Sequence, residues 1–283
     1  MFISRRRRNR AKMFFVYLGL AFFVVVMLFP FLWMLITSLK SNPELYDVKA
    51  NPFWVTKPTL EQYAYLLTKV PFLTWLRNSF VVSLSSTIVS LFVGILAGYA
   101  IARLRFRGAE PIGLGIFITY LVPTTLLFLP LAYVIRSIGL YDSIWSLVLT
   151  YPTFLIPFCT WLLMGYFKGI PRELEESAVV DGATRIQALF RIVLPLALPG
   201  IVSAGLFAFT LSWNEFIYAL TFVQASDAKT VPVGVVGTLT LGDVFFWGSL
   251  MAAALIGSVP VVIFYTFFLE YYVKGLTAGA VKG

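Results

Sequence analysis

This 283-residue chain has few residues that could carry out chemistry. Their types favour binding of another molecule over catalysis. There are no histidines and a single cysteine, Cys159, which lies in an apolar run. This composition excludes a His-ligated metal, a Ser-His pair, a Cys-His pair and an internal disulfide. A cluster of carboxylates, Glu173, Glu175 and Glu176, stands in an otherwise apolar sequence.

The carboxylates lie near the beginning of residues 168–199, a segment that is predicted to form two short helices. Pro171 favours a helix start, and the carboxylates that follow lie near the positive helix end. Asp181-Gly182 marks a turn, because glycine readily adopts the left-handed cap conformation. The second helix has an apolar face with i, i+3, i+4, i+7 and i+8 spacing, formed by Ile186, Leu189, Phe190, Val193 and Leu194.

Pro195 and Pro199 are predicted to end the second helix, which makes residues 168–199 a compact helix–turn–helix. Two interpretations of it are open. It could be an amphipathic element that only covers a membrane surface, or it could be a docking surface for another protein. Anionic lipid headgroups would repel three carboxylates, and this repulsion favours the docking surface.

The elements that must hold these residues are membrane-spanning helices. The chain is 59% hydrophobic and 12% charged, whereas soluble domains average about 45–50% apolar and about 25% charged. A spanning helix requires about 20 mainly apolar residues. Six stretches meet that requirement, namely residues 13–36, 80–102, 111–134, 144–166, 200–220 and 249–271. The sequence therefore predicts an all-α membrane protein with six transmembrane helices in one domain, residues 1–283.

The distribution of basic residues predicts how the helices are oriented. The net charge is +9, and its placement beside apolar stretches fits the positive-inside rule better than a nucleic-acid interface. Most of the 22 Lys and Arg residues fall in residues 1–12, 103–107, 168–199 and 273–283. These segments and both termini are therefore predicted to be cytoplasmic, and no nucleic-acid partner is expected.

Two longer segments then fall on the outer side of the membrane. Residues 38–78 are predicted to include a short helix, because Thr59 and Gln62 have capping-box spacing before residues 63–67. Residues 222–247 are rich in Val, Gly and Thr, and no structure is predicted for them.

The helix–turn–helix resembles the signature loop of importer-type ABC permeases, which reads E-A-A-x-x-x-G and, after nine further residues, I-x-L-P. The matching positions are Glu176, Ser177, Ala178, Gly182, Ile192, Leu194 and Pro195, with serine in place of the first alanine. Other segments resemble the carbohydrate (maltose-type) permeases of that class. They are Asn78-Ser79, residues 96–100 with Arg103, and residues 106–108, 139–142, 213–216 and 275–283.

The resemblance implies a type I ABC importer permease architecture with a cytoplasmic coupling-helix loop in a bacterial-type inner membrane. It implies a non-catalytic pore subunit that moves a sugar, a di- or oligosaccharide, by alternating access. The implied partners are membrane lipid, a second permease subunit, two ATPase subunits and an external substrate-binding protein. ATP and Mg²⁺ would belong to the ATPase subunits, because this sequence has no G-x-x-x-x-G-K-[ST] phosphate loop and is expected to bind no cofactor.

The resemblance also implies that residues 168–199, here called the docking loop, bind the ATPase. The docking positions are Glu173, Glu176, Ser177, Ala178, Asp181, Gly182, Ala183, Phe190, Ile192, Leu194 and Pro195. The tail, residues 273–283, is similar to the maltose-type tail that reaches between the two ATPase subunits. It is therefore expected to contact them too.

A second set of residues could line the path of a sugar, because sugars stack on aromatic rings. The candidates are Tyr120, Tyr151, Trp213, Asn214, Glu215 and Phe216. For both the carboxylate and the aromatic side chains, a role other than sugar binding is also open. A carboxylate such as Glu215 can cap a helix or face headgroups, and aromatic rings also form interfacial belts and lipid-facing packing.

Other classes of protein also stay open at this point. A secondary transporter or channel for a small polar solute often carries charged residues inside the membrane, whereas the predicted helices are almost free of charge at their centres. An importer of a polyol or glycerol phosphate would share the same architecture. A membrane enzyme would need a nucleophile–base or metal constellation, and the residue types for one are lacking.

Overall fold

The computed structural model describes residues 2–104 and 106–280, with side-chain surroundings for residues 12–104 and 106–271. The chain forms two compact units, Met1–Val70 with Gly237–Ser258 and Pro71–Val236 with Val259–Gly283. The regular elements are almost all helices. In chain order they are α1 (Phe2–Ser38), α2 (Asn42–Tyr46), α3 (Glu61–Thr68), α4 (Phe72–Arg103), α5 (Ala109–Tyr120), α6 (Thr124–Ser137), α7 (Ile144–Thr150), α8 (Pro152–Gly169), α9 (Glu173–Val180), α10 (Arg185–Ala188), a π-helical turn (Leu189–Val193), α11 (Leu194–Trp213), α12 (Ile217–Phe222), α13 (Val231–Leu239), β1 (Thr240–Leu241), β2 (Val244–Phe245) and α14 (Trp247–Ala280).

Five continuous helical segments in the described part of the chain are long and apolar enough to cross a membrane. They are Lys12–Ser38, Phe72–Arg103, Ile144–Gly169, Arg185–Trp213 and Trp247–Tyr271. The helix pair α5 and α6 supplies a sixth span when the two are taken together. The architecture therefore matches the six predicted spans, with the third one broken.

The break in the third span was not predicted, because residues 111–134 were expected to form one helix. α5 and α6 meet at an angle of 91°. Pro123 lies at the junction, where it lacks an N–H for the helical ladder and disfavours helical geometry in Val122 before it. Pro130, in contrast, lies within α6.

The fifth span begins at Arg185 rather than near residue 200, so the prediction that Pro195 and Pro199 end a separate helix was wrong. The π-helical turn joins α10 to α11, and the Leu194 N–H donates to the Leu189 carbonyl oxygen, five residues back. Pro195 follows in the first turn of α11, where its missing N–H costs little. The second helix of the docking loop is therefore the first part of a spanning helix.

The last helix, α14, is longer than the predicted 249–271 span. Its backbone continues as helix to Ala280, nine residues beyond the predicted end of the span. Gly275 and Gly279 weaken a helix without preventing it, and this stretch contains no proline. The predicted contact of residues 273–283 with ATPase subunits concerns side chains outside the described residues, and residues 281–283 are wholly outside them.

Close packing of α4 against α8 forms the centre of the larger unit. Gly94 and Gly98 lie four residues apart on α4, a spacing that lets two membrane helices approach closely. A Cβ at Gly94 would lie 2.7 Å from Cys159 Cβ, and one at Gly98 would lie 3.1 Å from the Met164 nitrogen. Cys159 is fully buried in this interface and acts as a small apolar side chain.

We expect Gly94→Val to destabilise the chain, because valine cannot fit where one carbon already approaches to 2.7 Å. Overpacking of this kind costs about 1–3 kcal/mol. Gly115→Val is the matched control, since a Cβ there meets no described atom within 4 Å. Thermal unfolding in detergent, followed by size-exclusion chromatography, should show a lower midpoint for Gly94→Val alone. Equal midpoints would contradict the close contact.

The smaller unit contains most of segment 38–78, and its short helix α3 confirms the predicted element. The predicted capping box does not form, because Gln62 is buried and bonds elsewhere. Its Nε2 donates to Asn42 Oδ1 at 2.8 Å, and its Oε1 accepts from Ser249 Oγ at 2.8 Å. The unit also contains the β1–β2 hairpin, within a segment for which no structure was predicted.

Candidate functional site

The acidic helix α9 begins two residues after Pro171 and has its three carboxylates in the first turn. Negative charge there is stabilised by the helix dipole. Glu173 and Glu176 are exposed, which suits the predicted docking role. Glu175 differs sharply, because only 4% of its surface is exposed.

Glu175 is the centre of a buried polar cluster that the sequence did not reveal. Its Oε1 accepts a hydrogen bond from the Tyr99 hydroxyl at 2.5 Å and lies 3.5 Å from Arg185 Nη1. Its Oε2 forms an ion pair with Arg103 Nε at 3.8 Å. A buried carboxylate is tolerated only with partners of this kind.

Two further hydrogen bonds tie the end of α4 to the start of the docking loop. Arg103 Nη2 donates to the Ile170 carbonyl oxygen at 2.7 Å, and Arg172 Nη2 donates to the Ala102 carbonyl oxygen at 3.1 Å. Together with Glu175, these bonds hold α9 against a spanning helix. We call Tyr99, Arg103, Arg172, Glu175 and Arg185 the anchoring cluster.

The turn between the two loop helices is left-handed at Gly182, with φ of +92°. The Ala183 N–H donates to the Ala178 carbonyl oxygen at 2.9 Å, and the Gly182 N–H donates to the Val179 carbonyl oxygen at 3.1 Å. A Cβ at Gly182 would meet no described atom within 4 Å. Glycine is therefore favoured here by backbone conformation, not by space within this chain.

A capping box starts the second helix of the loop, at residues that sequence reasoning passed over. Thr184 Oγ1 accepts from the Gln187 N–H at 3.2 Å, and Gln187 Oε1 accepts from the Thr184 N–H at 2.8 Å. The T-x-x-Q spacing was a usable signal for this box. The turn is thus stabilised on both sides by local bonds.

The predicted apolar face of the second helix is divided in the structure. Leu189 and Val193 are buried and pack in a cluster with Tyr99, Leu163 and Phe167. Ile186 and Phe190 were expected on the same face but are 69% and 56% exposed. The prediction of one face was wrong because the neighbouring helices cover only the stripe of Leu189 and Val193, and the adjacent stripe of Ile186 and Phe190 is left exposed.

The exposed part of the loop forms a mixed acidic and apolar surface, here called the docking face. Its apolar members are Leu174, Val179, Val180, Ile186 and Phe190, and its acidic members are Glu173, Glu176 and Asp181. A cavity of about 340 Å³ lies between the two helices, lined in part by Ala178, Gly182 and Ile192. Large exposed apolar patches with polar neighbours are typical of protein–protein interfaces.

The structure places the predicted docking residues on or beside this face. Glu173, Glu176, Ser177, Asp181, Gly182, Phe190 and Pro195 are exposed, and Ala178, Ala183, Ile192 and Leu194 are half-buried. The residues missed by sequence reasoning were Tyr99, Arg103 and Glu175. The available signal was the carboxylate of Glu175 in α9 together with a basic residue, Arg103, at the end of a spanning helix.

The structure places Tyr151 beside Glu215 but does not gather all six predicted pathway residues in one open site. Tyr151 is fully buried and packs against Tyr218, whereas Tyr120 and Asn214 are exposed. Trp213 is buried beside Phe209, and Phe216 packs partly against the buried core.

Glu215 acts as a helix cap in the structure. Its carboxylate oxygens accept from the Tyr218 N–H at 2.8 Å and the Ala219 N–H at 3.1 Å, at the start of α12. This geometry corresponds to the capping alternative. A role for these six residues in the sugar path stays a prediction. Among residues 12–104 and 106–271, no group of three or more metal-ligating side chains was found.

Comparisons with known proteins show which family this sequence matches. Residues 90–278 match the sequence profile of the family described as "Binding-protein-dependent transport system inner membrane component". The chain is 40% identical to the sulfoquinovosyl glycerol transport system permease protein SmoH of Agrobacterium fabrum, over 90% of this chain and 89% of that protein. It is 34% identical to the trehalose/maltose transport system permease protein MalG of Thermococcus litoralis, over 98% and 99% of the two chains.

A solved structure shows the same fold at lower sequence identity. It belongs to a bacterial ABC transporter involved in the import of the acidic polysaccharide alginate. The match has a TM-score of 0.78 and 21% identity, and it covers 94% of this chain and 98% of the other.

Proposed function

Because this chain belongs to the family of inner-membrane components of binding-protein-dependent transport systems, we propose that it is a pore-forming subunit of an ATP-driven sugar importer. We infer the substrate class, a sugar, from relatives named for trehalose, maltose and sulfoquinovosyl glycerol. These names favour a di- or oligosaccharide or a glycoside. A polyol or glycerol phosphate belongs in the same substrate screen.

The observation that carries this proposal is a docking face held firmly on a spanning helix. The face is exposed, acidic and apolar, while Tyr99, Arg103 and Glu175 of the anchoring cluster are buried and bond the loop to α4. A solvent-exposed loop would not need a buried carboxylate and arginine to fix its position. Such anchoring is expected of a surface that passes movement of the ATPase subunits to the spanning helices.

The proposed mechanism is alternating access driven from outside this chain. Two ATPase subunits would bind ATP and Mg²⁺, close and open, and move the docking loop with its spanning helix. Binding can shift such an equilibrium only by a difference in affinity between its two states. ATP would therefore favour one arrangement of the loop. A second permease would complete the pore, and an external binding protein would deliver the sugar.

Reconstitution of the four components tests this proposal. Proteoliposomes would contain this chain, the second permease and the ATPase subunits, with the binding protein and labelled sugar outside. Uptake should require ATP and each protein, and an ion gradient should have no effect. Uptake driven by an ion gradient without ATPase would overturn the importer proposal.

The proposed orientation places both termini and the docking loop in the cytoplasm. In a Cys159→Ala background, we expect Val48→Cys to react with a membrane-impermeant thiol reagent from outside and Val180→Cys only from inside. Both positions are highly exposed, at 100% and 86%. Bound ATPase subunits should protect Val180→Cys alone. Reaction of Val180→Cys from outside would contradict the orientation, and failure of protection would contradict docking.

A further inference from the structure

A second cavity lies beside the start of the docking loop, with which it shares Lys168 and Arg172, and the rest of its lining comes from α4, α5 and α8. It has a volume of about 700 Å³. It is bordered by the end of α4, the first half of α5 and the second half of α8. Cavities of this size hold small-molecule ligands. Its lining combines an apolar wall with a charged rim.

The apolar wall is formed by Leu114, Trp161 and Met164. Leu114 and Trp161 are exposed, and the Trp161 ring stacks on Phe117 with centroids 4.2 Å apart. A Cβ at Gly113 would lie 3.1 Å from Ile101 Cγ2 and 3.3 Å from Met164 Sδ, so α5 is packed tightly at the base. This wall belongs to a membrane-spanning part of the chain, where acyl chains are the surrounding solvent.

The charged rim consists of Lys168, Arg172 and Glu110. Lys168 and Glu110 are exposed, and neither makes a hydrogen bond or ion pair with any side chain that the structure describes. Arg172 donates one N–H to the Ala102 carbonyl oxygen and has further N–H groups that can bond a ligand. It also borders a separate cavity of about 300 Å³ beside Glu175. The rim lies where α8 ends and α5 begins, at the ends of segments that are apolar enough to span a membrane, and headgroups surround the ends of such segments.

We propose that this cavity binds a phospholipid whose headgroup carries both a phosphate and a primary ammonium, as in phosphatidylethanolamine. The phosphate matches Lys168 and Arg172, the ammonium matches the Glu110 carboxylate, and the acyl chains cover Leu114 and Trp161. Charge-assisted hydrogen bonds of these types are the strong ones. Basic pockets between membrane helices are typical headgroup sites.

The single carboxylate decides between headgroup classes. A purely anionic headgroup would satisfy the two cations but would place Glu110 beside negative charge. A choline headgroup has the right charges but no N–H with which to bond Glu110. Only a phosphate with a primary ammonium uses all three side chains of the rim.

The proposal is tested by lipid retention on the purified full-length chain. Delipidated protein is mixed with phosphatidylethanolamine, phosphatidylcholine or phosphatidylglycerol of identical acyl chains, and bound lipid is counted by native mass spectrometry. We expect phosphatidylethanolamine to be retained about tenfold better than phosphatidylcholine, the effect of one charge-assisted hydrogen bond. Equal retention of these two lipids would overturn the proposal.

Two variants assign the headgroup contacts. Glu110→Gln should abolish the preference for phosphatidylethanolamine over phosphatidylcholine, and Lys168→Gln should weaken retention of all three lipids. Lys69→Gln is the control, because Lys69 is exposed and lies outside the cavity. An unchanged preference in Glu110→Gln, or unchanged retention in Lys168→Gln, would overturn the proposal.

A soluble competitor separates a lipid from a small headgroup-like ligand. Phosphoethanolamine has the same phosphate and ammonium without acyl chains, so we expect millimolar amounts to leave bound phosphatidylethanolamine in place. Its displacement of the lipid at those concentrations would assign the cavity to a soluble ligand and overturn the lipid site.

Discussion

Gly182→Val should abolish sugar uptake while leaving the chain inserted in the membrane. Gly182 has φ of +92°, a conformation that costs a residue with a Cβ about 1–2 kcal/mol and is worse for a β-branched one. The chain can relieve this strain by moving α9 relative to α10, which disrupts the docking face. We expect ATPase subunits to co-purify at least about tenfold less, since about 1.4 kcal/mol suffices for that loss.

Two matched variants separate three possible causes of the loss: backbone strain at Gly182, steric bulk of the new side chain, and general destabilisation of the chain. Gly139 has φ of +74°, and a Cβ there also meets no described atom within 4 Å. Gly139→Val therefore imposes similar strain outside the docking loop, and ATPase association should persist. Gly182→Asn tests bulk, because asparagine tolerates the left-handed conformation.

The asparagine variant has two informative outcomes. Retained ATPase binding would assign the effect to backbone strain. Lost binding would show that the partner approaches Gly182 closely, because this chain leaves space there. Normal uptake by well-expressed Gly182→Val would refute the docking role of the turn.

Glu175→Gln should uncouple ATP hydrolysis from uptake. The glutamine keeps the shape and can still accept from Tyr99, but it leaves the buried Arg103 guanidinium without an ionic partner. Breaking a buried pair in this way costs about 3–5 kcal/mol. Arg185 adds little to that figure, because its side chain is 60% exposed.

The expected signature of Glu175→Gln is ATPase activity without proportional transport. The docking face is made of other, exposed residues, so the ATPase subunits should still bind. The substitution should weaken the contacts of the anchoring cluster that hold α9 against α4. The measurement is the ratio of sugar taken up to ATP hydrolysed in proteoliposomes.

A double-mutant cycle with Arg103→Gln distinguishes a specific pair from general damage. Removing both charges leaves neither one buried alone, so the double variant should be less impaired than the sum of the two single variants. Tyr99→Phe removes only the hydrogen bond and should have a smaller effect. Strictly additive losses from Glu175→Gln and Arg103→Gln would show that the two side chains act independently.

Local features of the docking loop were predictable from sequence because they depend on neighbouring residues. The α9 carboxylates lie at a helix start, and Gly182 adopts the left-handed turn for a reason internal to its own backbone. The six apolar stretches followed in the same way, since the length of an apolar run is what a membrane requires. These features would be expected in any fold that contained the same segments.

Tertiary structure alone decided which side chains were buried and how the helices were broken. Glu175 looks no different in sequence from Glu173 and Glu176, and its buried partners Tyr99 and Arg103 lie more than 70 residues away in the chain. Leu189 is buried and its neighbour Phe190 is exposed because only one side of this helix packs against α4 and α8. The helix continues through Pro195 by way of the π-helical turn. Leu189 and Val193 of that turn pack against α4 and α8, and a pattern that assumes 3.6 residues per turn does not predict the turn.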